Sequence, residues 1–263
     1  MYAFTYERPK SLADASKFVQ AGGQALAGGQ TMLASMKQRL MQPEQLIDLR
    51  DIPELVGIRK DGDHIVIGAM TKHCDVELNA LVKQHIPGLA ALAGGIGDRQ
   101  VRAMGTLGGS VANNDPAACY PSALLALNAT IHTDARTISA QDFFLGMYAT
   151  ALNPGELITA VSFPIPKRAA YAKFKQGASR FAMVGVFVAD TAQGVRVTVT
   201  GASSGVFRHA GLEAALTKNF APESVVGVEV DDTELNSDIH ASASYRAQLI
   251  KVQTRVAVQM ALA

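Results

Sequence analysis

The chain has 263 residues, 48% hydrophobic and 18% charged, with a formal net charge of +1 and two cysteines. This describes a compact folded protein of one large or two ordinary domains, not a disordered one. The near-neutral balance gives no electrostatic reason for nucleic acid or a membrane surface as partner, and Cys74 and Cys119, with no CxxC, exclude an all-cysteine iron–sulfur cluster or a disulfide framework within the chain.

Two unpatterned thiols fit a reducing, cytoplasmic setting. The N-terminus MYAFTYERPKSL has both charge signs and no apolar run, so it does not read as a signal peptide. No window approaches ~18 uninterrupted apolar residues, so direct membrane insertion is not expected.

Residues 2–6 alternate like a short strand. Ser11 is a good N-cap for a helix whose apolar face is Leu12, Ala15, Phe18 and Val19, and Gly22-Gly23 supply its exit. Gln24–Leu26 is a strand that delivers the loop Ala27-Gly28-Gly29-Gln30-Thr31, and a helix Met32–Leu40 follows. Strand, glycine loop and helix N-terminus together form a geometry that binds phosphate. After Pro43, strands are expected at Gln45–Leu49, Leu55–Ile58 and His64–Ile67, the last two joined by a turn at Lys60–Asp63. Thr71 is expected to cap a helix carrying Val76, Leu78 and Leu81, and Leu89–Ile96 a second, alanine-rich helix.

Residues 99–116, RQVRAMGTLGGSVANNDP, are the most informative stretch. Gly105, Gly108 and Gly109 let a ligand approach the backbone closely, and the Thr106 and Ser110 hydroxyls suit phosphate oxygens, so a second ligand loop is expected here. A buried helix Ala117–Ala126, a strand Ala129–Thr133, a strand at 137–140 running into a short helix, and an apolar strand Leu157–Phe163 follow. Pro164 and Pro166 mark a domain boundary. Beyond it, Tyr171–Gln176, Met183–Ala189 and Gly194–Ala202 read as an antiparallel meander, and Val206–Leu216 as a helix. Ser242–Met260 reads as a long helix with Tyr245, Leu249, Val252, Val256 and Met260 at the three- and four-residue spacing of an apolar face.

Several chemistries are missing. Neither glycine motif fits G-x-x-x-x-G-K-[ST] or G-x-G-x-x-G, so a P-loop or Rossmann site is disfavoured. No two histidines stand at i, i+4 and no HExxH occurs, so no metal site is expected. Ser203-Ser204-Gly205 lacks the GxSxG of a hydrolase elbow. The first glycine loop reads either as a tight strand–helix turn or as a ligand loop. Lys175, in YAKFKQ, lies either on a solvated strand face or at the polar edge of a cofactor.

Taken together, AGGQTML, VRAMGTLGGSVANNDPAA and the terminal HASASYRAQLIKVQTRVA resemble the FAD-binding medium subunits of molybdenum hydroxylases, of the carbon monoxide dehydrogenase type and related to the FAD domain of xanthine dehydrogenase. The resemblance implies an α+β fold. A two-lobed FAD-binding domain of the vanillyl-alcohol-oxidase type is expected at 1–166 (lobes about 1–53 and 54–166), followed at 167–263 by a domain with a three-stranded antiparallel sheet and a helical bundle. It implies that the backbone N–H groups of Leu26, Ala27, Gly28, Gly29, Gln30, Thr31, Met32 and Leu33, and of Thr106, Leu107, Gly108, Gly109 and Ser110, surround the FAD pyrophosphate, aided by the Thr31, Thr106 and Ser110 hydroxyls. Ile96 is implied as an adenine contact, Leu157 and Ile158 as isoalloxazine contacts, and Lys175 as a cation at the flavin's polar edge. Relatives usually carry a carboxylate where this chain has Cys119, with Asn114 or Asp115 as candidate substitutes. No catalytic acid–base residue is implied. The implied role is electron relay from a small subunit with [2Fe-2S] clusters, beside a large molybdenum-cofactor subunit, in a dimer of heterotrimers, to an external acceptor. The competing readings are a stand-alone FAD oxidoreductase, a binding module for another nucleotide and an assembly subunit that has lost FAD. Release and identification of the bound flavin separates them.

Overall fold

The computed structural model describes residues 1–263. The first sheet is built from β1 (Thr5–Glu7), β2 (Gln24–Leu26) and β3 (Gln45–Asp48), all parallel, in the order β1-β3-β2. Helix α1 (Leu12–Gln20) crosses between β1 and β2, and α2 (Met32–Lys37) between β2 and β3. The Ser11 hydroxyl accepts the Asp14 N–H at 3.2 Å, as its N-cap position requires. Ala15 points inward to a small core of Ile47, Leu49, Ile52, Leu55, Met70 and Leu157.

The second sheet is antiparallel, in the order β4-β5-β10-β6-β7. Its strands are β4 (Ile58–Asp61), β5 (His64–Gly68), β6 (Thr130–Thr133), β7 (Thr137–Ser139) and β10 (Ile158–Pro164); β8 (Phe144–Gly146) and β9 (Ala149–Thr150) form a separate hairpin. Between β5 and β6 lie α3 (His73–Leu78), α4 (Ala80–His85), α5 (Pro87–Gly94), α6 (Arg99–Met104), α7 (Leu107–Asn113) and α8 (Tyr120–Ala126), with α9 (Ala140–Phe143) after β7.

Three expectations change here. Pro53 opens a one-turn 3-10 helix over Pro53–Leu55, so the strand starts at Ile58 and the reversal is carried by Gly62 at φ +58°. Thr71 caps no helix, because its hydroxyl holds Gly57, accepting the N–H at 3.0 Å and donating to the carbonyl at 3.1 Å. The expected helix is also cut at Asn79, whose extended backbone ends α3 and whose side chain accepts the Leu81 and Val82 N–H groups to start α4. Finally, the glycine-rich stretch is helical: Asp98 caps α6 and Thr106 caps α7.

The third sheet is a meander of β11 (Arg168–Lys175), β12 (Ala182–Thr191) and β13 (Gly194–Thr200), widened by a two-residue fourth strand, β14 (Phe207–Arg208). Two helices, α10 (Ala210–Lys218) and α11 (Ala243–Leu262), and a 3-10 turn at Pro222–Val225 stand where a helical bundle is expected. Helix α11 packs on β11 and β12, but mainly through another face than the one that spacing marks. Leu249 is buried, whereas Tyr245, Val252, Val256 and Met260 are 36–48% exposed. The inward face holds Arg246, Ile250, Gln253, Thr254, Ala257 and Val258. Arg246 fixes this orientation, donating to the Met183 and Gly201 carbonyls at 2.9 and 3.0 Å and to Asp238 at 2.7 Å.

The largest core passes through residue 166 without a break, joining Ile65, Leu89, Leu107, Leu124 and Val161 to Ala169, Tyr171, Phe187 and Ala189. Gly88 permits the closest approach, since a Cβ there would lie 2.7 Å from the Ala169 carbonyl oxygen.

Candidate cofactor-binding site

The two glycine motifs meet. A Cβ on Gly28 would lie 2.3 Å from the Met104 carbonyl oxygen and 2.6 Å from the Gly105 Cα. A Cβ on Gly109 would meet Ala27 at 3.2 Å. The loop after β2 is therefore seated directly against the corner between α6 and α7, and only glycine fits at Gly28.

The motifs differ in the donors they offer. In the first loop, the N–H groups of Gly28, Gly29, Gln30, Thr31 and Met32 have no acceptor within the chain. Gly29 sits at φ +70°, which turns successive amides toward one side. Thr31 is exposed and its hydroxyl makes no internal bond, and only the Thr31 carbonyl is engaged, by Ser35. In the second motif four of the five amides are already used, and only the Thr106 N–H has no acceptor within the chain. Leu107 N–H donates to Thr71 O at 3.0 Å, Gly108 to Ala69 O at 2.8 Å, Gly109 to the Thr106 hydroxyl at 3.2 Å and Ser110 to Thr106 O at 3.1 Å. The Ser110 hydroxyl, half-buried, is free. Gly108 is a packing glycine, because a Cβ there would come within 2.5 Å of the Ala69 Cβ. Thus the first loop leaves the Gly28–Met32 N–H groups unpaired, the expected Leu33 donor being spent on Gly29 O at 3.0 Å, while the second motif leaves the Thr106 N–H and the Ser110 hydroxyl.

Asn114 and Asp115 are likewise occupied. Asn114, left-handed at φ +42°, ends α7 and donates through Nδ2 to the Gly146 and Ala149 carbonyls at 2.8 Å each, holding the β8–β9 hairpin. Asp115 accepts the Ala117 N–H at 2.8 Å and the Tyr148 hydroxyl at 3.2 Å. Both side chains are thus engaged in holding the turn after α7 and the β8–β9 hairpin.

On the far side of α6, the tip of the β11–β12 hairpin lies over the Gly95–Gly97 loop. Lys173 Nζ donates to Gly95 O at 2.7 Å and Arg180 O at 3.0 Å, and lies 3.5 Å from the Cys119 Sγ. Arg180 reaches Gly97 O at 3.3 Å, and Arg102 reaches Ile96 O at 3.1 Å. Ile96 is half-buried in that loop, and Lys175 is exposed at the end of β11. Leu157 and Ile158 lie elsewhere, at the start of β10 and 4% and 7% exposed, in the first and main cores respectively. Sequence reasoning missed Lys173. It stands two positions before Lys175 in the same alternating run, and nothing local in YAKFKQ says which of the two reaches inward.

A buried polar group backs this region. The Tyr171 hydroxyl has no hydrogen-bond partner, and burial together with the neighbouring Cys119 thiol pushes its phenol well above the ordinary tyrosine range. His73, 5% exposed, packs against Tyr120 with ring centroids 5.4 Å apart. Burial, with Arg102 nearby, pushes His73 down to about 4, so it is neutral at pH 7. No cluster of metal-ligating side chains is present. A separate cleft of about 670 Å³ opens at the C-terminal end of α7, between the β8–β9 hairpin and the Ser203–Gly211 loop. No helix is long and apolar enough to cross a membrane.

Residues 2–166 match the family model described as the FAD binding domain in molybdopterin dehydrogenase. The chain is 35% identical to the carbon monoxide dehydrogenase medium chain of Afipia carboxidovorans, over 99% of this chain and 97% of that one. It is 35% identical to the nicotine 6-hydroxylase medium subunit of Paenarthrobacter nicotinovorans, over 95% and 94% respectively. Among solved structures, the reconstituted CO dehydrogenase from Oligotropha carboxidovorans superposes with a TM-score of 0.91 at 32% identity, covering 99% of this chain and 98% of that one.

Proposed function

We infer the role of this chain from its family: it belongs to the FAD-binding domain family of molybdopterin dehydrogenases. It is an FAD-binding medium subunit of an oxidoreductase complex of the molybdenum hydroxylase type. The observation that carries the site assignment is the run of unpaired amides at Gly28–Met32, set against the free Ser110 hydroxyl. A diphosphate needs several convergent donors and close backbone approach, and this donor set meets both needs.

In this reading Gly28, Gly29, Gln30, Thr31 and Met32 hold the pyrophosphate through their N–H groups, with the Thr31 and Ser110 hydroxyls completing the shell. Ala27 and Gly109 form the floor, and Leu26, Leu33, Thr106, Leu107 and Gly108 fix its shape from behind. Ile96 is the apolar adenine contact in this reading, and its loop is tied by Lys173 and Arg180 to the hairpin that carries Lys175, the residue at the flavin's polar edge. Lys175 supplies positive charge at that end, which favours the reduced, more negative form of a flavin. Leu157 and Ile158 support the site from within the cores.

Bound FAD supplies the ability to accept electrons one at a time and release them to a second reactant. The chain's own residues bind and orient it, and no acid–base residue is assigned a proton-transfer role. The electron donor is a small subunit with [2Fe-2S] clusters, beside a large molybdenum-cofactor subunit, in a dimer of heterotrimers working in the cytoplasm. Residues 1–166 form the FAD domain, with lobes at about 1–53 and 54–166, and residues 167–263 the C-terminal domain.

The test is an absorbance spectrum of the purified chain followed by heat release of any chromophore. About one FAD per chain is expected, and a colourless chain that refuses added FAD overturns the reading. Lys175→Ala should keep FAD but lower its reduction potential, and an unchanged potential removes that role from Lys175.

A further inference from the structure

Tyr171, Lys173 and Cys119 form a small polar cluster beneath the β11–β12 hairpin. Tyr171 and Lys173 stand two positions apart on β11 and so share one face, which meets Cys119 just before α8. A lysine ammonium carries three donors. Lys173 spends two of them on the Gly95 and Arg180 carbonyls, at 2.7 and 3.0 Å, and the third faces the Cys119 sulfur at 3.5 Å. A thiol sulfur is a weak acceptor, so a charged donor is matched to a poor partner. Tyr171, 6% exposed, turns its hydroxyl toward the same sulfur, and that hydroxyl has no hydrogen-bond partner. Gly185, opposite Lys173 on β12, leaves room for it, since a Cβ there would lie 2.3 Å from the Tyr171 oxygen. Phenylalanine would fill the same core without burying an unpaired hydroxyl, which folded proteins seldom tolerate. Two donors therefore converge on one sulfur, and an oxygen bonded to that sulfur would satisfy both.

The other cysteine has the opposite surroundings. Cys74 is half-buried and so more open than Cys119, which is 5% exposed, but its thiol lies 3.6 Å from the Asp75 carboxylate. Burial and that carboxylate push the Cys74 thiol up, away from the thiolate through which cysteines react. Exposure alone would send an oxidant to Cys74, whereas the neighbouring charges send it to Cys119. Lys173 is itself only half-buried, under the exposed tip at 177–181, so the approach to the sulfur is short.

We propose that Cys119 is a peroxide-reactive site, where hydrogen peroxide converts the thiol to a sulfenic acid held by Lys173 and Tyr171. The sulfur attacks one peroxide oxygen, the O–O bond breaks, and the departing hydroxide takes the thiol proton and leaves as water. The sulfur is oxidised by two electrons and the peroxide is reduced by the same two. The new oxygen accepts from the Lys173 ammonium and the Tyr171 hydroxyl. Oxidation thereby tightens the tie between the hairpin and the Gly95–Gly97 loop, which Lys173 and Arg180 already make. The chemistry requires no bound flavin.

The experiment uses the full chain as purified, reduced and then freed of reductant. It is treated with hydrogen peroxide, the excess is removed with catalase, and the chain is denatured in dimedone, a carbon nucleophile that captures sulfenic acids. Peptide mass spectra then locate the adduct. Cys119 should gain it faster than Cys74 by on the order of tenfold. A thiol reductant added before the dimedone should erase it, as a sulfenic acid requires. Tyr171→Phe and Lys173→Met, each checked for folding by its melting temperature, should lower capture at Cys119 by roughly tenfold, the effect of losing a hydrogen bond to a charged group. Capture at Cys74 should stay unchanged in both. Where a variant folds poorly, the ratio of the two cysteines in wild type still decides. The proposal is overturned if Cys119 gains no adduct or if Cys74 reacts first. It is also overturned if both variants are captured as wild type is. A product that has lost two hydrogens overturns it as well, being a Cys74–Cys119 disulfide or, with one oxygen gained, a cross-link to Lys173.

Discussion

Gly28 is the residue on which the proposed phosphate-binding geometry most directly depends. A methyl group there meets the Met104 carbonyl oxygen at 2.3 Å, a backbone atom that cannot swing aside, so the loop must lift from α6 and lose the alignment of its amides. Gly28→Ala is therefore expected to lose FAD on gel filtration while remaining folded, as judged by circular dichroism; retained flavin would show that the loop is not the phosphate cradle. Gly108→Val looks equivalent in the sequence but is not, because its Cβ would enter Ala69 and destabilise the middle of the protein. Both glycine motifs stand out in the sequence as candidate ligand loops. What a sequence does not show is which amides are already paired, since that depends on Ala69 and Thr71, far from the motif in the chain. Cys119 makes a second case. Its sulfur lies 3.5 Å from Lys173 Nζ and beside the unpartnered Tyr171 hydroxyl. In Cys119→Asp one carboxylate oxygen would pair with Lys173 and the other would remain for Tyr171 or the cofactor. A hydrogen bond to a charged group is worth about 1.5–3 kcal/mol, so FAD should bind about tenfold tighter or more; unchanged affinity in a fluorescence titration would show the position is idle.

At the scale of elements, long-range ties rather than local propensity decide how the wall of the site is held. The β11–β12 hairpin projects beyond its sheet and is fastened to the Gly95–Gly97 loop by Lys173 and Arg180. Lys173→Met should free the hairpin tip while leaving β11 paired with β12. The expected result is faster FAD dissociation with a melting temperature little changed, whereas Lys173→Arg should restore much of the retention. Equal dissociation rates in wild type and Lys173→Met would remove the tie from the account. Helix starts were read well where a capping side chain announced them, as at Ser11, and poorly where an expected cap is spent elsewhere, as at Thr71. Which face of α11 meets the sheet is not legible from spacing for a related reason. The helix is apolar on two sides, and the side that faces the sheet is chosen by Arg246, a residue that periodicity assigns to solvent.

For the whole molecule, the arrangement of parts followed the chain closely, with a parallel sheet, then an antiparallel one, then a meander, and prolines before the last. How the parts depend on one another did not, because packing across residue 166 leaves no local signature. One consequence is a pH response. His73 is held neutral with its pKa lowered from 6.5 to about 4, so the unfolded chain binds a proton there that the folded chain does not. Stability from this site is complete above about pH 6.5 and is lost as pH falls toward 4, by a few kcal/mol over the interval. Denaturant melts at pH 7 and pH 4.5 should show the loss, and His73→Leu should flatten that window; an unchanged pH profile in the variant would assign the loss to other groups. The second consequence is that residues 1–166 should not behave as a free-standing unit, despite the match of the family model to residues 2–166. Ala169, Tyr171, Phe187 and Ala189 complete the core that Leu89, Leu107 and Leu124 begin. Thr200 donates to the Pro116 and Ala118 carbonyls at 2.9 and 2.7 Å, and Thr198 to the Ser122 carbonyl at 2.7 Å. Cutting at residue 166 would expose that apolar surface and leave those buried carbonyls unpaired, each at a cost of about 1–3 kcal/mol, against a total stability of only about 5–15 kcal/mol. A fragment of residues 1–166 should therefore aggregate or give a poorly dispersed amide spectrum and bind no FAD. Should it instead yield a sharp, dispersed spectrum and retain the flavin, the sheet beyond Pro166 would be an appendage, and the continuous core would have little energetic weight.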